Sequence, residues 1–233
     1  MRLFFILLLI VNFNLVADDE LFDDFEDEFK IETTDKSDFF YTYNKTMTKY
    51  NDLFYTKVFF PIATNYAKVV PKEVRLSVSN FFSNLKFPIR LINNTAQLKF
   101  KNSLEESERF IINSTIGLGG LFDVAYSEFN LTKHNEDFGQ TLGFYGVGAG
   151  EHIVLPFIGP SNIRDSFSML VDSQFDPIYY LNNEKTYITK SVYYINEASF
   201  KKKEYESLKQ DAIELYPYLK NIYEQHRESE IKE

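Results

Sequence analysis

The distribution of glycine constrains this chain most, because all nine glycines lie between Gly117 and Gly159. Glycine tolerates positive φ angles and lets backbone approach closely, so a segment that concentrates it must turn tightly or move. From Gly143 to Gly150 the glycines alternate with apolar residues. Such an apolar loop suits a lipid or membrane surface better than it suits water. A buried hairpin whose glycines only satisfy turn geometry is the alternative that the sequence leaves open.

The first residues predict export. Arg2 precedes an apolar run at residues 3–11, and Ala17 supplies a small residue just before an acidic stretch. This order is typical of a secretory signal peptide, here residues 1–17, with a retained N-terminal anchor as the alternative. The apolar run is shorter than the roughly 20 residues of an ordinary transmembrane helix. The chain contains no cysteine, so we expect no acylation beside the cleavage site and no disulfide or thiolate chemistry.

The next stretch, Asp18 to Asp38, is strongly acidic. It holds eleven acidic and two basic residues, a net charge of −9, which equals the net charge of the whole chain. Runs of this kind are usually solvated and disordered, and we predict such a tail here. Apolar residues at helical spacing (Leu21, Phe22, Phe25 and Phe29) leave open that the tail folds onto a basic partner or docks on its own body. An acidic tail on a body without excess positive charge speaks against nucleic-acid binding.

Hydrophobic spacing before the glycines predicts helices. Pro61 is expected to end or kink the first helix, and Pro71 to begin a second one that stops before Pro88. A capping box at Ser103 to Glu106 is expected to open a third helix that stops at Gly117. The first two apolar stripes consist of Tyr43, Met47, Tyr50, Phe54 and Val58, and of Val74, Val78, Phe81 and Leu85.

Beyond the glycines the same reasoning predicts a helix from Ile163 to about Gln174 and one or two helices in residues 186–233, with a break at Pro217. His152 to Phe157 is the best strand candidate. The sequence therefore predicts a mainly α, single-domain fold at residues 39–233, interrupted by the glycine-rich segment.

Few residues suggest covalent chemistry. The three histidines have no metal-ligand spacing, and we expect neither a metal nor a cofactor. Ser161, His152 and Asp165 could form a hydrolase triad on paper, which stays open as a minor alternative. We instead expect Arg164 and Asp165 to form an ion pair at a helix start, and Asp123 to cap a turn. No catalytic residue is predicted.

Several ordered blocks nevertheless resemble one family, the VacJ/MlaA family. Tyr43-Asn44 with Met47 resembles its F-N-R-x-M block, and Ser79-Asn80-Phe81 with Asn84-Leu85 and Pro88 resembles S-N-F-x-x-N-L-x-x-P. A third block runs from Arg109-Phe110 to Asp123-Val124-Ala125. The longest runs from Phe138-Gly139 through Tyr145-Gly146-Val147-Gly148 to Arg164-Asp165. The resemblance covers residues 39–180 well and the C-terminal helices loosely.

The resemblance implies a function without bond chemistry. Family members are similar to a helical, donut-like ring in the inner face of the outer membrane, with a central amphipathic channel. Through it, phospholipids misplaced in the outer leaflet pass to a soluble periplasmic carrier, which maintains lipid asymmetry. Trimeric porins are the other expected partner. A non-transport envelope scaffold or porin-binding protein is the alternative.

The resemblance also implies two sets of site residues. The expected channel lining and gating loop comprises Phe138, Gly139, Leu142, Gly143, Tyr145, Gly146, Val147, Gly148 and Gly150. The expected structural motif residues are Asn44, Asn80, Asn84, Pro88, Asn113, Gly117, Gly119, Gly120, Asp123, Pro156, Gly159, Arg164 and Asp165. The family is usually acylated at a cysteine that this chain lacks. Attachment to the outer membrane from the periplasmic side is therefore expected to depend on apolar helices and porin contact.

Overall fold

The computed structural model of the chain describes residues 38–232. The expected signal peptide, and the expected acidic tail apart from Asp38, lie outside the described residues. The described part is mostly helical and forms one compact unit, as the sequence predicts.

The first long helical stretch continues through Pro61, so the proline does not end it, and the irregularity that the sequence left open is a π-helical turn directly before it. Helix α1 (Tyr41–Phe54) leads into this turn (Tyr55–Phe59) and then into α2 (Phe60–Val69). Proline lacks an N–H and its ring crowds the carbonyl four residues earlier. The wider turn, in which Phe60 N–H bonds to Tyr55 O, keeps the chain helical.

The next three helices precede the glycines. They are α3 (Lys72–Leu85), α4 (Phe87–Ala96) and α5 (Phe100–Thr115), and α4 packs on α5. The expected capping box at Ser103 is wrong, because α5 begins three residues earlier. The Ser103 hydroxyl instead shares a hydrogen bond of 3.0 Å with Thr95 Oγ1, and Glu106 pairs with Arg90.

The glycine-rich segment is only partly irregular. It contains α6 (Val124–Phe129), α7 (Phe138–Phe144) and an antiparallel hairpin of β1 (His152–Leu155) and β2 (Gly159–Asn162). The strand predicted at His152 is confirmed over its first four residues, whereas β2 was missed. Its sequence, Gly159-Pro160-Ser161-Asn162, carries no strand propensity of its own.

Helices dominate the remainder. Helix α8 (Ile163–Ser173) confirms the prediction there, and a 3-10 turn (Pro177–Tyr180) leads to α9 (Asn183–Asp211) and α10 (Leu215–Lys232). The break between the last two helices precedes Pro217, which lies in the first turn of α10. Helix α9 packs on α2 and α3, while α10 packs on α1 and α7.

The two sides of α1 have the reverse of the usual polarity. Its buried residues are Asn44, Thr48 and Asn51, whereas Tyr43 and Tyr50 of the predicted apolar stripe are exposed. The same holds across the described residues, where buried polar side chains outnumber buried apolar ones by more than two to one. A compact apolar core forms only where Phe60 and Ala63 of α2 meet Ala198 of α9. Hydrogen bonds between elements therefore position much of the fold.

Candidate functional site

Two asparagines of α1 hold the hairpin. Asn44 donates to His152 O at 2.9 Å and accepts from Val154 N at 2.8 Å. Asn51 repeats the arrangement one step along, donating to Leu155 O at 2.9 Å and accepting from the N–H of Phe157 at 2.8 Å. Asn44 thereby satisfies one backbone acceptor and one donor of β1, and Asn51 satisfies one of each where β1 enters the turn to β2. Asn51 was not among the predicted residues, although it lies on the same helix face as Asn44, seven residues on.

Asp165 is the centre of a second buried cluster. The ion pair with Arg164, predicted from the sequence, is present at 2.9 Å. Asp165 also accepts from Arg227 Nε at 3.0 Å and Tyr223 OH at 2.6 Å, both on α10. Burial opposes its ionisation, but the hydrogen bonds from Arg227, Arg164 and Tyr223 outweigh it and lower the pKa of Asp165 to about 2. This carboxylate joins the start of α8 to the C-terminal helix.

The first half of the predicted gating loop is a helix, which corrects the expectation of a loop. Asp137 caps α7 by accepting from Gln140 N at 2.8 Å, and it also binds Arg227. Gly139 is buried, and a β-carbon there would lie 2.7 Å from Arg227 Nη2. At Gly143 it would lie 2.6 Å from Ile231 Cδ1. These glycines permit close packing of α7 against α8 and α10.

The second half of that segment, Phe144 to Gly150, presents apolar groups to the surroundings. Tyr145 is 60% exposed and Val147 45% exposed. A β-carbon at Gly146 or Gly148 would meet nothing within 4 Å. Two hydrogen bonds from Arg164 fix the backbone of this half. Its Nη1 donates to Val147 O at 3.2 Å, and its backbone N–H donates to Ala149 O at 3.0 Å. A gating or channel-lining role for this segment stays a prediction.

A third cluster lies at the glycine turn before α6. Asp123 caps α6, as predicted, by accepting from Tyr126 N at 3.3 Å. It also accepts two bonds from Arg109 Nη2, at 3.0 and 2.8 Å, and one from Asn113 at 2.9 Å. Burial raises the pKa of Asp123, but the bonds from Arg109 and Asn113 more than offset this and lower it overall. Gly120, at a φ of 90°, packs against Asn84, where a β-carbon would lie 2.5 Å from Cβ.

The predicted motif residues thus separate into groups that the chain brings together. One group surrounds the hairpin, one surrounds the glycine turn, one is the Arg164–Asp165 pair, and Pro88 lies in the first turn of α4. The hairpin group is Asn44, Pro156 and Gly159, and the turn group is Asn80, Asn84, Asn113, Gly117, Gly119, Gly120 and Asp123. Arg90, Glu106 and Arg227 were missed, because only the fold brings these charges to their partners.

Large apolar side chains cover much of the outer surface. Among those more than half exposed in or near the glycine-rich segment are Leu118, Phe122, Tyr126, Phe157, Ile158 and Leu170. Exposed apolar side chains in this number favour contact with a membrane or a partner. Among residues 38–232, no helix combines the length and the apolar character that crossing a bilayer requires. The apolar side chains are instead distributed over many short helices and turns.

The hydrolase triad of Ser161, His152 and Asp165, which the sequence left open, is not assembled. Ser161 is fully buried, and its hydroxyl lies 3.0 Å from Ser166 Oγ. His152 pairs with Asn162 across the hairpin, and burial lowers its pKa to about 4, so the ring is neutral at neutral pH. No hydrogen bond between the described residues links Ser161, His152 and Asp165 to one another. Within residues 38–232 no cluster of carboxylates and histidines could hold a metal ion.

Comparisons with known proteins point to one family. A family model described as MlaA lipoprotein matches residues 36–230. The Escherichia coli K12 protein named intermembrane phospholipid transport system lipoprotein MlaA is 32% identical over 142 residues, which are 60% of this chain and 57% of that protein. An uncharacterized protein of Rickettsia prowazekii is 35% identical over 144 residues, 61% of this chain and 57% of its own length. The aligned region thus spans just over half the length of these curated relatives.

The fold has a close counterpart among solved structures. A chain from work on the structural basis for maintenance of bacterial outer membrane lipid asymmetry superposes with a TM-score of 0.74. The match has 27% sequence identity and covers 84% of this chain and 99% of the other. Most of the fold described above therefore recurs in a protein of known structure.

Proposed function

Because this chain belongs to the MlaA lipoprotein family, we propose that it takes part in phospholipid transport that maintains the lipid asymmetry of an outer membrane. The names of its characterised relatives and the subject of the solved structure support this role. The chain aligns with just over half of the length of those relatives, so the whole activity is part of the proposal.

The observation that carries the proposal is the reversed polarity of the described residues. Amides and ion pairs occupy the interior, while aromatic and aliphatic side chains face outward. Removing apolar surface from water is worth about 25 cal/mol per Å², so this surface gains stability when lipid or an apolar partner covers it. Buried polar side chains that hydrogen-bond one helix to another are also how helices associate in a membrane.

We propose that the apolar surface, with contact to a trimeric porin, holds the protein at the inner face of the outer membrane. The family is named for a lipoprotein, whereas the sequence contains no cysteine. A single acyl chain contributes only marginal binding, so apolar contacts spread over several helices can replace it. Fractionation tests this: recovery wholly in soluble periplasm, with porins present, would contradict membrane attachment.

For the transport step, we propose that phospholipid leaves the outer leaflet through an amphipathic channel and passes to a soluble periplasmic carrier. Phe144 to Gly150 would line or gate this path, since its apolar side chains are exposed beside Arg164. No bond is made or broken in this mechanism, and no cofactor is needed. Burial and the pairing of Ser161 with Ser166 disfavour the alternative of hydrolysis.

The experiment is measurement of phospholipid exposed on the cell surface in a strain that lacks this protein. We expect exposure to rise and the wild-type gene to restore it. Phospholipid that co-purifies with the protein, identified by mass spectrometry, would support direct handling. Unchanged surface phospholipid in the deletion strain, together with co-purification of the protein with a porin from wild-type cells, would instead support the scaffold alternative.

A further inference from the structure

A small polar cavity lies where α3, α4, α5 and the turn before α6 meet. Its volume of about 20 Å³ has room for roughly one water-sized group. Every side chain that lines it is polar or charged, including Asn80, Ser83, Asn84, Arg90 and Arg109. A cavity this polar favours a ligand with hydrogen-bonding atoms over an acyl chain.

One buried donor of a side chain that lines this cavity has no partner. Arg109 is 5% exposed, and its Nε is buried without a hydrogen-bond partner among the described residues. Its other two nitrogens bind Asp123 and the carbonyl oxygen of Leu131. Arg90 uses Nε for Glu106, at 2.7 Å, and Nη1 for the carbonyl of Ser83, at 2.7 Å. A buried guanidinium N–H without an acceptor is costly, and Arg109 lines the cavity, so an acceptor there that reaches Nε would remove this cost.

The charges around the cavity are positive in sum. Two carboxylates, Glu106 and Asp123, face three cations, because Lys133 Nζ lies 3.5 Å from Ser83 Oγ beside Arg90 and Arg109. Burial lowers the pKa of Lys133, and repulsion from the two arginines lowers it further. An acceptor that also carries negative charge would therefore be preferred over water, since charge-assisted bonds are roughly twice as strong as neutral ones.

Apolar residues adjoin the lining residues in sequence. Phe81 follows Asn80, and Leu121 and Phe122 precede Asp123, and all three apolar side chains are exposed. A cationic cavity next to exposed apolar groups matches a ligand that joins an anionic group to hydrocarbon. The small volume admits a single oxygen and leaves the remainder of such a ligand at the mouth.

We propose that this cavity binds one oxygen of a phosphate group, with Nε of Arg109 as the donor and Arg90 and Lys133 supplying charge. The proposal deepens the proposed function, on which it rests, by assigning recognition of the phosphate in a phospholipid headgroup to these residues. Inorganic phosphate offers the same oxygen chemistry without the acyl chains.

The test follows the Nε–Hε NMR signal of Arg109 in the full chain, held in neutral detergent and labelled with ¹⁵N-arginine. Three probes are added in turn: inorganic phosphate, glycerophosphoethanolamine, and phosphatidylethanolamine in the same detergent. We expect the Arg109 signal to shift. Arg75 lies near the start of α3, where its guanidinium donates to Val70 O and Ser199 Oγ. Its signal is expected to stay unchanged.

A charge variant sharpens the test. Asn80→Asp places a carboxylate in the lining, and we expect it to weaken binding of the effective probe by about tenfold or more through like-charge repulsion. Asn65→Asp is the matched control, since it adds the same charge on α2, outside the cavity. Asn80 makes one long bond, 3.3 Å to Leu121 O, so the variant is expected to fold.

The outcomes separate the two sources. A shift with all three probes assigns the site to phosphate itself, and a shift with the lipid alone assigns it to a headgroup that also needs apolar contact. No shift with any probe, or equal weakening in Asn65→Asp, would overturn the proposal.

Surface phospholipid in cells reports on the proposed function separately. Asn80→Asp cells with normal lipid asymmetry would remove the headgroup assignment and leave the proposed function standing. A phosphate-dependent shift in a protein whose deletion leaves lipid asymmetry unchanged would leave the phosphate site standing and remove the proposed function.

Discussion

The two halves of the segment from Phe138 to Gly150 use the same residue types in opposite ways. In the first half, Gly139 and Gly143 let α7 pack against side chains of α8 and α10. In the second half, a β-carbon at Gly146 or Gly148 would meet nothing, and the neighbouring aromatic and aliphatic side chains are exposed. Glycine thus permits close contact in one half and positive φ angles at Gly146 and Gly150 in the other, and composition alone does not distinguish the two roles.

Removing the carboxylate that supports the packed half is expected to have the largest effect. Asp165→Ala leaves Arg164 and Arg227 buried without their shared partner, and we expect the free energy of unfolding to fall by about 3–5 kcal/mol. Urea unfolding followed by circular dichroism in neutral detergent measures this. Glu228→Ala, which removes an exposed ion pair with Lys232 within α10, is the control and should leave stability unchanged. Equal stability of both variants would contradict a structural role for the Asp165 cluster.

Adding one methyl group to each half tests the comparison directly. Gly139→Ala forces Arg227 to move, and we expect a loss of about 1–3 kcal/mol in the free energy of unfolding. Gly148→Ala meets open space and should change stability by less than about 0.5 kcal/mol. Thermal melts of the two variants side by side suffice. Similar losses in both would show that the second half is as closely packed as the first.

The pH dependence reports on the start of α7. Asp172 accepts from Phe138 N at 3.1 Å and from Asn93 at 3.0 Å. Burial raises its pKa to about 6. The folded state therefore binds more protons at this group than the unfolded state between about pH 4 and 6, so the contribution of Asp172 to stability falls as pH rises through that window.

Asp172→Asn should remove this dependence, an effect on the order of 1 kcal/mol. His152 has the opposite trend over an overlapping range, because burial lowers its pKa to about 4 and the unfolded state binds the extra proton. The difference in unfolding free energy between wild type and variant, measured from pH 4 to 7, cancels the histidine contribution. A difference that does not vary with pH would contradict the assigned titration.

The smallest expected change in stability concerns the exposed half. Val147→Ser removes an apolar side chain that is already half exposed, so stability should change by less than about 0.5 kcal/mol. Under the proposed function, phospholipid co-purifying with the protein should decrease. Ile213→Ser, at an 89% exposed position between α9 and α10, is the matched control and should retain its lipid. Equal lipid content in both variants would argue against a lipid path along this half.

Much of the helical fold could be predicted from local pattern. Helix α8 and the start of β1 follow from apolar spacing, and the motif blocks led to the family that the model match confirms. Local pattern left open whether Pro61 ends or kinks the helix, and a widened turn before it keeps the chain helical. Local pattern failed at Ser103, where the helix begins before the apparent cap. Both outcomes depend on geometry that propensity does not encode.

The polar interior was not predictable to the same extent. The reasoning that assigns apolar stripes to a core holds in water, whereas in α1 the stripe faces outward and amides face the hairpin. Asn51 lay on a visible stripe with Asn44 and could have been found. Arg227 could not, because its link to Asp137 and Asp165 spans more than sixty residues and depends on how α10 folds back.

The clamp that Asn44 makes on β1 also has a consequence for assembly. Its amide occupies backbone positions of β1 where a third strand would bond, so an incoming copy finds that edge of the ribbon taken. Copies at high concentration should then resist joining edge to edge into sheets.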